Sequence, residues 1–218
     1  MSDNDAVRVV IVTGEGTKAF VAGADIQEMQ PYDSTQGLRF SQKGHDALTV
    51  FERLAKPVIA AVNGYALGGG FELALSCDII YASDKARVGF PEATLGILPG
   101  FGGTQRTARL IGPARAKELI FTGKMISAQE AYDMGLFNKV VPDAELMGEV
   151  RDLAARILAA GPFGIQLAKD CINKSLTLDI DSGLEYEARA FGLCFGTDDQ
   201  KEGMTAFLEK RAPTFRGH

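Results

Sequence analysis

The sequence predicts a mixed α/β core followed by an all-helical C-terminal region. Three observations carry this. Short β-branched runs bounded by Gly, Pro or Asn alternate with helical patterns, which favours α/β over all-β. From Asp143 onward the pattern is almost entirely helical. Finally, 46% hydrophobic content in 218 residues supplies one substantial core, or a core with an appended part. The expected limits are 1–142 for the α/β core and 143–218 for the helical region.

In chain order, residues 7–13 (Val-Arg-Val-Val-Ile-Val-Thr) form a β-branched run closed by Gly14, the profile of a buried strand. A polar stretch at 31–37 leads into a helical pattern carrying Leu48, Phe51 and Leu54. Residues 57–62 read as a second buried strand, ended by Asn63-Gly64, and a short amphipathic segment follows at 71–76. Strands are expected at 78–82 and 86–90. Ser127-Ala-Gln-Glu130 has the form of a capping box that opens a helix. Helices are then expected at 143–160, 162–176, 183–195 and 198–210, with Pro162 in a first turn, where proline is tolerated. No fixed-period repeat or low-complexity linker is present.

Composition narrows the function. A formal net charge of -5 gives no concentrated basic surface for nucleic acid. No apolar run approaches the roughly 18 residues of a membrane span, and the opening residues are polar and acidic, unlike a targeting peptide. A cytoplasmic protein is expected. Cys77, Cys171 and Cys194 are odd in number and read as buried free thiols. His45 and His218 have no partner at metal-ligand spacing, so no metal site is expected. Asn173-Lys-Ser175 spells a glycosylation sequon, read as chance.

Three segments can carry chemistry. The first is Gly64-Tyr-Ala-Leu-Gly-Gly-Gly-Phe-Glu72, running from a strand end into a helix start. Successive glycines suit neither element, so they serve backbone geometry. The N–H groups of Gly69 and Gly70, unsatisfied at a helix start, suit an oxyanion; a close helix–strand crossing is the alternative. A P-loop is excluded, since no Gly-Lys-Ser/Thr follows. The second is Phe20-Val-Ala-Gly-Ala-Asp-Ile26, where Ala24 N–H can add a second donor, though an ordinary turn explains it equally well. The third is Pro91-Glu92 with Leu95-Gly-Ile-Leu-Pro-Gly-Phe-Gly-Gly-Thr-Gln-Arg106. Glu92 lies in an otherwise apolar stretch. Taken alone it fits an exposed strand-end glutamate better than a buried acid, whose proton affinity desolvation would raise.

The ordered set of these motifs, with Gly123-Lys-Met-Ile-Ser-Ala-Gln-Glu-Ala131 and Gly203-Met-Thr-Ala-Phe-Leu-Glu-Lys-Arg211, resembles the crotonase (enoyl-CoA hydratase/isomerase) family from about Val7 to the end. The resemblance implies a ββα superhelix core with a C-terminal oligomerisation region, assembled as a homotrimer or homohexamer. It implies hydration of an enoyl-CoA thioester without a cofactor, CoA being part of the substrate. Ala24 and Gly69 N–H would form the oxyanion hole. Glu72 and Glu92 would be the catalytic glutamates, Glu72 taking the water's proton and Glu92 protonating the α-carbon. Gly100 would lie beside the water, where a side chain would intrude. Ala22, Ala24, Asp25, Ile26, Gln27 and Gly69 would line the CoA. Lys210 and Arg211 would reach its phosphates from a neighbouring subunit, or form a solvated basic helix end. Such contacts must gather local positive charge or helix N-termini against the negative net charge. Phe101 and the 191–195 segment would shape the acyl pocket, with short chains expected.

Members that shift double bonds, cleave C–C bonds or hydrolyse thioesters often lack one of the two glutamates, so keeping both points to a hydratase. Members usually carry another strand, a Pro-x-x-x-Asn-Ala-Leu-type segment and a helix before the strand at Val7; here Met1 stands almost directly before it. An enoyl-CoA isomerase, an inactive truncated subunit and a binding protein are the alternatives.

Overall fold

The structure is a computed structural model that describes Asn4 and residues 6–217. Its strands are β1 Val10–Thr13, β2 Ala19–Val21, β3 Val58–Val62, β4 Tyr65–Leu67, β5 Ile79–Ser83, β6 Arg87–Gly89, β7 Met125–Ser127 and β8 Lys139–Val141. Its helices are α1 Ile26–Met29, α2 Ser34–Arg53, α3 Gly69–Leu75, α4 Gly103–Ile111, α5 Pro113–Thr122, α6 Ala128–Met134, α7 Leu146–Leu158, α8 Pro162–Lys174, α9 Ile180–Cys194 and α10 Asp198–Leu208. Short 3-10 turns occupy Pro91–Leu95 and Asp143–Glu145.

Two four-stranded sheets form, in the orders β1-β3-β5-β8 and β2-β4-β6-β7. The first six strands alternate between them, so β1–β2, β3–β4 and β5–β6 each add one strand to both sheets before the chain enters a helical segment. This is the ββα superhelix that the resemblance implied. The turns differ in length, which is why the sequence shows no fixed-period repeat. β3 is buried at all five positions, as its parallel pairing with β5 leads one to expect, since parallel sheets are covered on both faces. β7 runs antiparallel to β6.

The expected strands at 7–13, 57–62, 78–82 and 86–90 are present in shortened form as β1, β3, β5 and β6. β2, β4, β7 and β8 went unread because three residues give no periodicity to detect. The expected amphipathic segment at 71–76 forms within α3, but it is buried on most sides (Gly70, Phe71, Glu72, Ala74 and Leu75). The capping box is made as expected, with Ser127 and Glu130 each bonding the other's backbone. The last helix stops short of Lys210, which adopts φ 56 while Arg211 N–H bonds back to Ala206 O, a left-handed C-terminal turn. The three cysteines are only half-buried, a correction to the expected burial.

Two compact units are distinguished. One comprises 11–52 and 58–150 and holds the core around Phe71, Phe90, Val88 and Leu119. The other comprises 1–10, 53–57 and 151–218 and is dominated by helices α8 to α10. Within the first, α3 packs against β2, β4 and α4. That packing builds the site.

Candidate active site

The site begins with glycines that let backbone meet backbone. β2 pairs with β4 through an irregular register, Ala19 opposite Tyr65 but Val21 opposite Ala66. The extra residue is a bulge that re-aims the chain entering the 22–25 loop. A Cβ on Gly70 would overlap the Val21 carbonyl oxygen, and one on Gly23 would stand 3.2 Å from Leu67 O. The loop after β2 is therefore held against the start of α3. Gly68, at φ 52, makes the sharp turn into that helix. Gly69 is the first residue of α3, so its N–H has no carbonyl one turn back within the helix. Among the described residues neither Gly69 N–H nor Ala24 N–H makes a hydrogen bond. The two loops thus bring together two unoccupied backbone donors, the arrangement that can hold a developing oxyanion.

Glu72 is 1% exposed, on the first turn of α3. Its Oε1 accepts the Phe101 N–H at 2.8 Å and the Gly103 N–H at 2.7 Å. The Cβ position of Gly69 is 3.9 Å from Oε2. Burial pushes the Glu72 carboxyl above the usual carboxylate range, while the Gly103 and Phe101 amides and the charges of Arg106 and His45 pull it back.

Glu92 lies in the 3-10 turn after β6 and is 8% exposed, so the exposed strand-end reading is overturned. Its Oε1 is 2.5 Å from where a Cβ of Gly68 would stand, beside the turn that carries Gly69. Its Oε2 is buried without a hydrogen-bond partner among the described residues. Burial, with the nearby Glu72 charge adding to it, pushes the Glu92 carboxyl up to about 7. A buried carboxylate oxygen left unpartnered carries a desolvation cost that a bound water or substrate would relieve.

Other expected residues fall as follows. Asp25 caps α1, accepting Gln27 N–H at 2.8 Å, while Ala22, Ile26 and Gln27 are exposed beside it. Gly100 O accepts the Ser41 hydroxyl at 2.5 Å, and a Cβ there would meet nothing of the protein nearer than 3.9 Å. Crowding by the protein therefore does not account for that glycine. The Phe101 ring packs where a Cβ on Gly44 would overlap it and a Cβ on Gly69 would come within 3.1 Å. It borders a groove of about 500 Å³ that includes Tyr32 and Phe40. Lys210 is exposed in the other unit, whereas Arg211 is committed to Glu202 and Glu209. Among the described residues no group of His, Cys, Asp or Glu is placed to hold a metal ion.

Sequence reasoning missed the support around Glu72: the Gly103 amide, and Arg106 with its ion pair to Glu52 at 2.6 Å. The Gly102-Gly103 pair was the available signal, since a helix beginning there leaves amides to offer.

A sequence profile of the enoyl-CoA hydratase/isomerase family matches residues 1–218. The chain is 52% identical over 215 residues to a crotonyl-CoA hydratase of Syntrophomonas wolfei, covering 99% of this chain and 83% of that one. It is 53% identical over 210 residues to a short-chain-enoyl-CoA hydratase of Clostridium acetobutylicum, covering 96% and 80% respectively. A crystal structure of an enoyl-CoA hydratase from Bacillus anthracis superposes with a TM-score of 0.95 at 45% identity, over 100% of this chain and 84% of that one.

Proposed function

The chain belongs to the enoyl-CoA hydratase/isomerase family, and from that premise we propose that Glu72, Glu92 and the amides of Ala24 and Gly69 carry out its reaction. The activity is that of an enoyl-CoA hydratase, a hydro-lyase that adds water across the 2,3 double bond to give a 3-hydroxyacyl-CoA.

In this reading the thioester carbonyl oxygen accepts hydrogen bonds from Ala24 and Gly69 N–H. Drawing electron density onto that oxygen makes the β-carbon electrophilic, and each such donor is worth roughly 10²–10³ in rate. Water, held between the two carboxyl groups, gives its proton to Glu72 as its oxygen bonds to the β-carbon. The π electrons pass toward the thioester, and the α-carbon takes the proton carried by Glu92. Two O–H bonds, one in water and one on Glu92, and the C=C π bond are broken; a C–O bond, a C–H bond and the Glu72 O–H bond form, and proton exchange with solvent returns each glutamate to its starting state. No electrons are gained or lost overall, so the step calls for no resident cofactor. The observation that carries this reading is the unpartnered, buried Oε2 of Glu92 beside Glu72 and the two free amides.

Ala22, Asp25, Ile26 and Gln27 would line the CoA, and their exposure beside the Ala24 amide supports this. Lys210 would contact a CoA phosphate of a neighbouring subunit, supported by its freedom from the ion pairs that hold Arg211. Gly100 would border the water. Short acyl chains are supported by the relatives' names and by the Phe101 ring wedged beside Gly69. A homotrimer or homohexamer is supported by large apolar side chains exposed on the helical unit, among them Phe207 at 82% and Ile180 at 74%. Cys171 and Cys194, present as thiols, suit a reducing compartment such as the cytoplasm.

Product analysis in ¹⁸O-labelled water tests the reaction. Label at the 3-hydroxyl of the product supports hydration; a moved double bond with no label incorporated would replace it with isomerisation.

A further inference from the structure

The catalytic reading of Glu72 leaves unexplained why Arg106 is kept mostly out of solvent. Its side chain is 15% exposed. It makes two directed contacts. Arg106 Nε meets Glu52 Oε1 of α2 at 2.6 Å, and Nη1 donates to the Phe101 carbonyl at 2.7 Å. The N–H of that same Phe101 donates to Glu72 Oε1 at 2.8 Å. A side chain on Gly102, which adopts φ 103, would overlap Arg106 Nη1, so the loop is shaped to let the guanidinium lie across it.

We propose that Arg106 is a positioning residue for Glu72: by joining Glu52 to the Phe101 carbonyl it fixes the residue whose N–H, in the preceding peptide, holds Glu72 Oε1. The inference rests on Glu72 being the base. A planar guanidinium with several fixed donors suits this task, because it satisfies a carboxylate and a carbonyl at once from a rigid frame. Two consequences follow. The oxygen of Glu72 that is free for chemistry is aimed by the placement of the other. The Arg106 charge also favours the ionised form of Glu72, alongside the smaller effect of His45 on α2. Glu92 is the nearby group of opposite effect, since the two carboxylates oppose each other's charge. Glu52 tempers the Arg106 charge from α2.

The test uses Arg106→Met, Arg106→Lys and Glu52→Gln, with Arg109→Gln as a control on the exposed face of α4. Crotonyl-CoA hydration is followed across pH. In parallel, the Glu72 carboxyl is titrated by ¹³C NMR, assigned with Glu72→Gln, a readout that does not depend on turnover. Arg106→Met should lower kcat by about tenfold to a hundredfold with little change in KM, the scale of a displaced catalytic group. The acidic limb of its kcat profile and the Glu72 titration should both move to higher pH. Arg106→Lys should recover part of each effect, Glu52→Gln should reproduce the fall in kcat more weakly, and Arg109→Gln should leave everything as in the parent. An unmoved Glu72 titration in both Arg106→Met and Glu52→Gln overturns the proposal. If Arg106→Met does not fold, Glu52→Gln decides it by the kcat-against-KM split. A parent without hydratase activity but with a shifted Glu72 titration would instead sink the catalytic reading and leave the linkage standing.

Discussion

Glu72 sits on the N-terminus of α4, its Oε1 2.7 Å from the Gly103 amide nitrogen. The helix therefore holds a carboxylate contributed by a different element, and the positive end of its dipole favours the charged form. Shortening the side chain separates the two demands placed on it. Glu72→Asp cannot both reach the Gly103 and Phe101 amides and keep its second oxygen at the site. Its kcat should fall by about 10²-fold with KM nearly unchanged. A steady-state comparison that showed only a raised KM would make Glu72 a binding group.

On the proposed mechanism Glu92, with its carboxyl pushed up to about 7, sets the alkaline side of the rate. As the proposed proton donor to the α-carbon it must be protonated, so hydration should decline as pH rises through about 7. Protonation of Glu72 should bring the decline on the acid side, and the two limbs belong to the pair rather than to either residue alone. In Glu92→Gln the alkaline limb should vanish from the residual rate. Its persistence would assign the limb to another group.

The same burial has a stability consequence. Because folding raises the Glu92 pKa, its contribution to stability is present below the unfolded value near 4.3 and is lost as pH rises through about 7. Above that pH the fold carries a buried charge. Glu92→Gln should unfold several degrees higher than the parent at pH 8 and at nearly the same temperature at pH 5. Melts by circular dichroism at the two pH values measure this, and equal differences at both would contradict it.

Neighbouring glycines should fail differently. A Cβ on Gly70 meets the Val21 backbone, which has nowhere to move, so Gly70→Ala should destabilise the protein by a few kcal/mol. A Cβ on Gly68 meets only the end of the Glu92 side chain, though its φ of 52 with ψ -124 adds strain of roughly 1–3 kcal/mol. Gly68→Ala should therefore fold and lose activity. Chemical denaturation beside activity separates the two; Gly70→Ala folding as stably as the parent would disprove the close approach.

The parts of this architecture that were legible in the sequence are those with long patterns. β3 announced itself by an unbroken apolar run ended by Asn63-Gly64, and α8 by a first-turn proline and an extended helical pattern. Of the second sheet only β6 was legible, because each of its strands holds three residues, too few to show alternation. Burial of Glu92 was not legible either. Its neighbours Leu95, Ile97 and Leu98 are apolar yet exposed, so local composition does not reveal which side chain the fold encloses. The supports of Glu72 come from residues some thirty positions later, a contact made by tertiary structure alone.

The helical unit leaves Phe191, Phe207 and Leu208 exposed at 65%, 82% and 80%. Surfaces of that kind are normally covered by a partner. Light scattering should give the mass of three or six chains, and Phe207→Asp with Leu208→Asp should reduce it. A parent mass of one chain would remove the support for assembly.

The most direct test of the central claim is loss of the conjugated-thioester absorbance of crotonyl-CoA, measured for the parent beside Glu72→Gln and Glu92→Gln. Glutamine keeps the shape of each side chain and removes its acid–base chemistry. Rapid loss in the parent and a fall of about 10²–10⁴ in each variant is the predicted result. Parent-like rates in either variant would contradict the two-glutamate account.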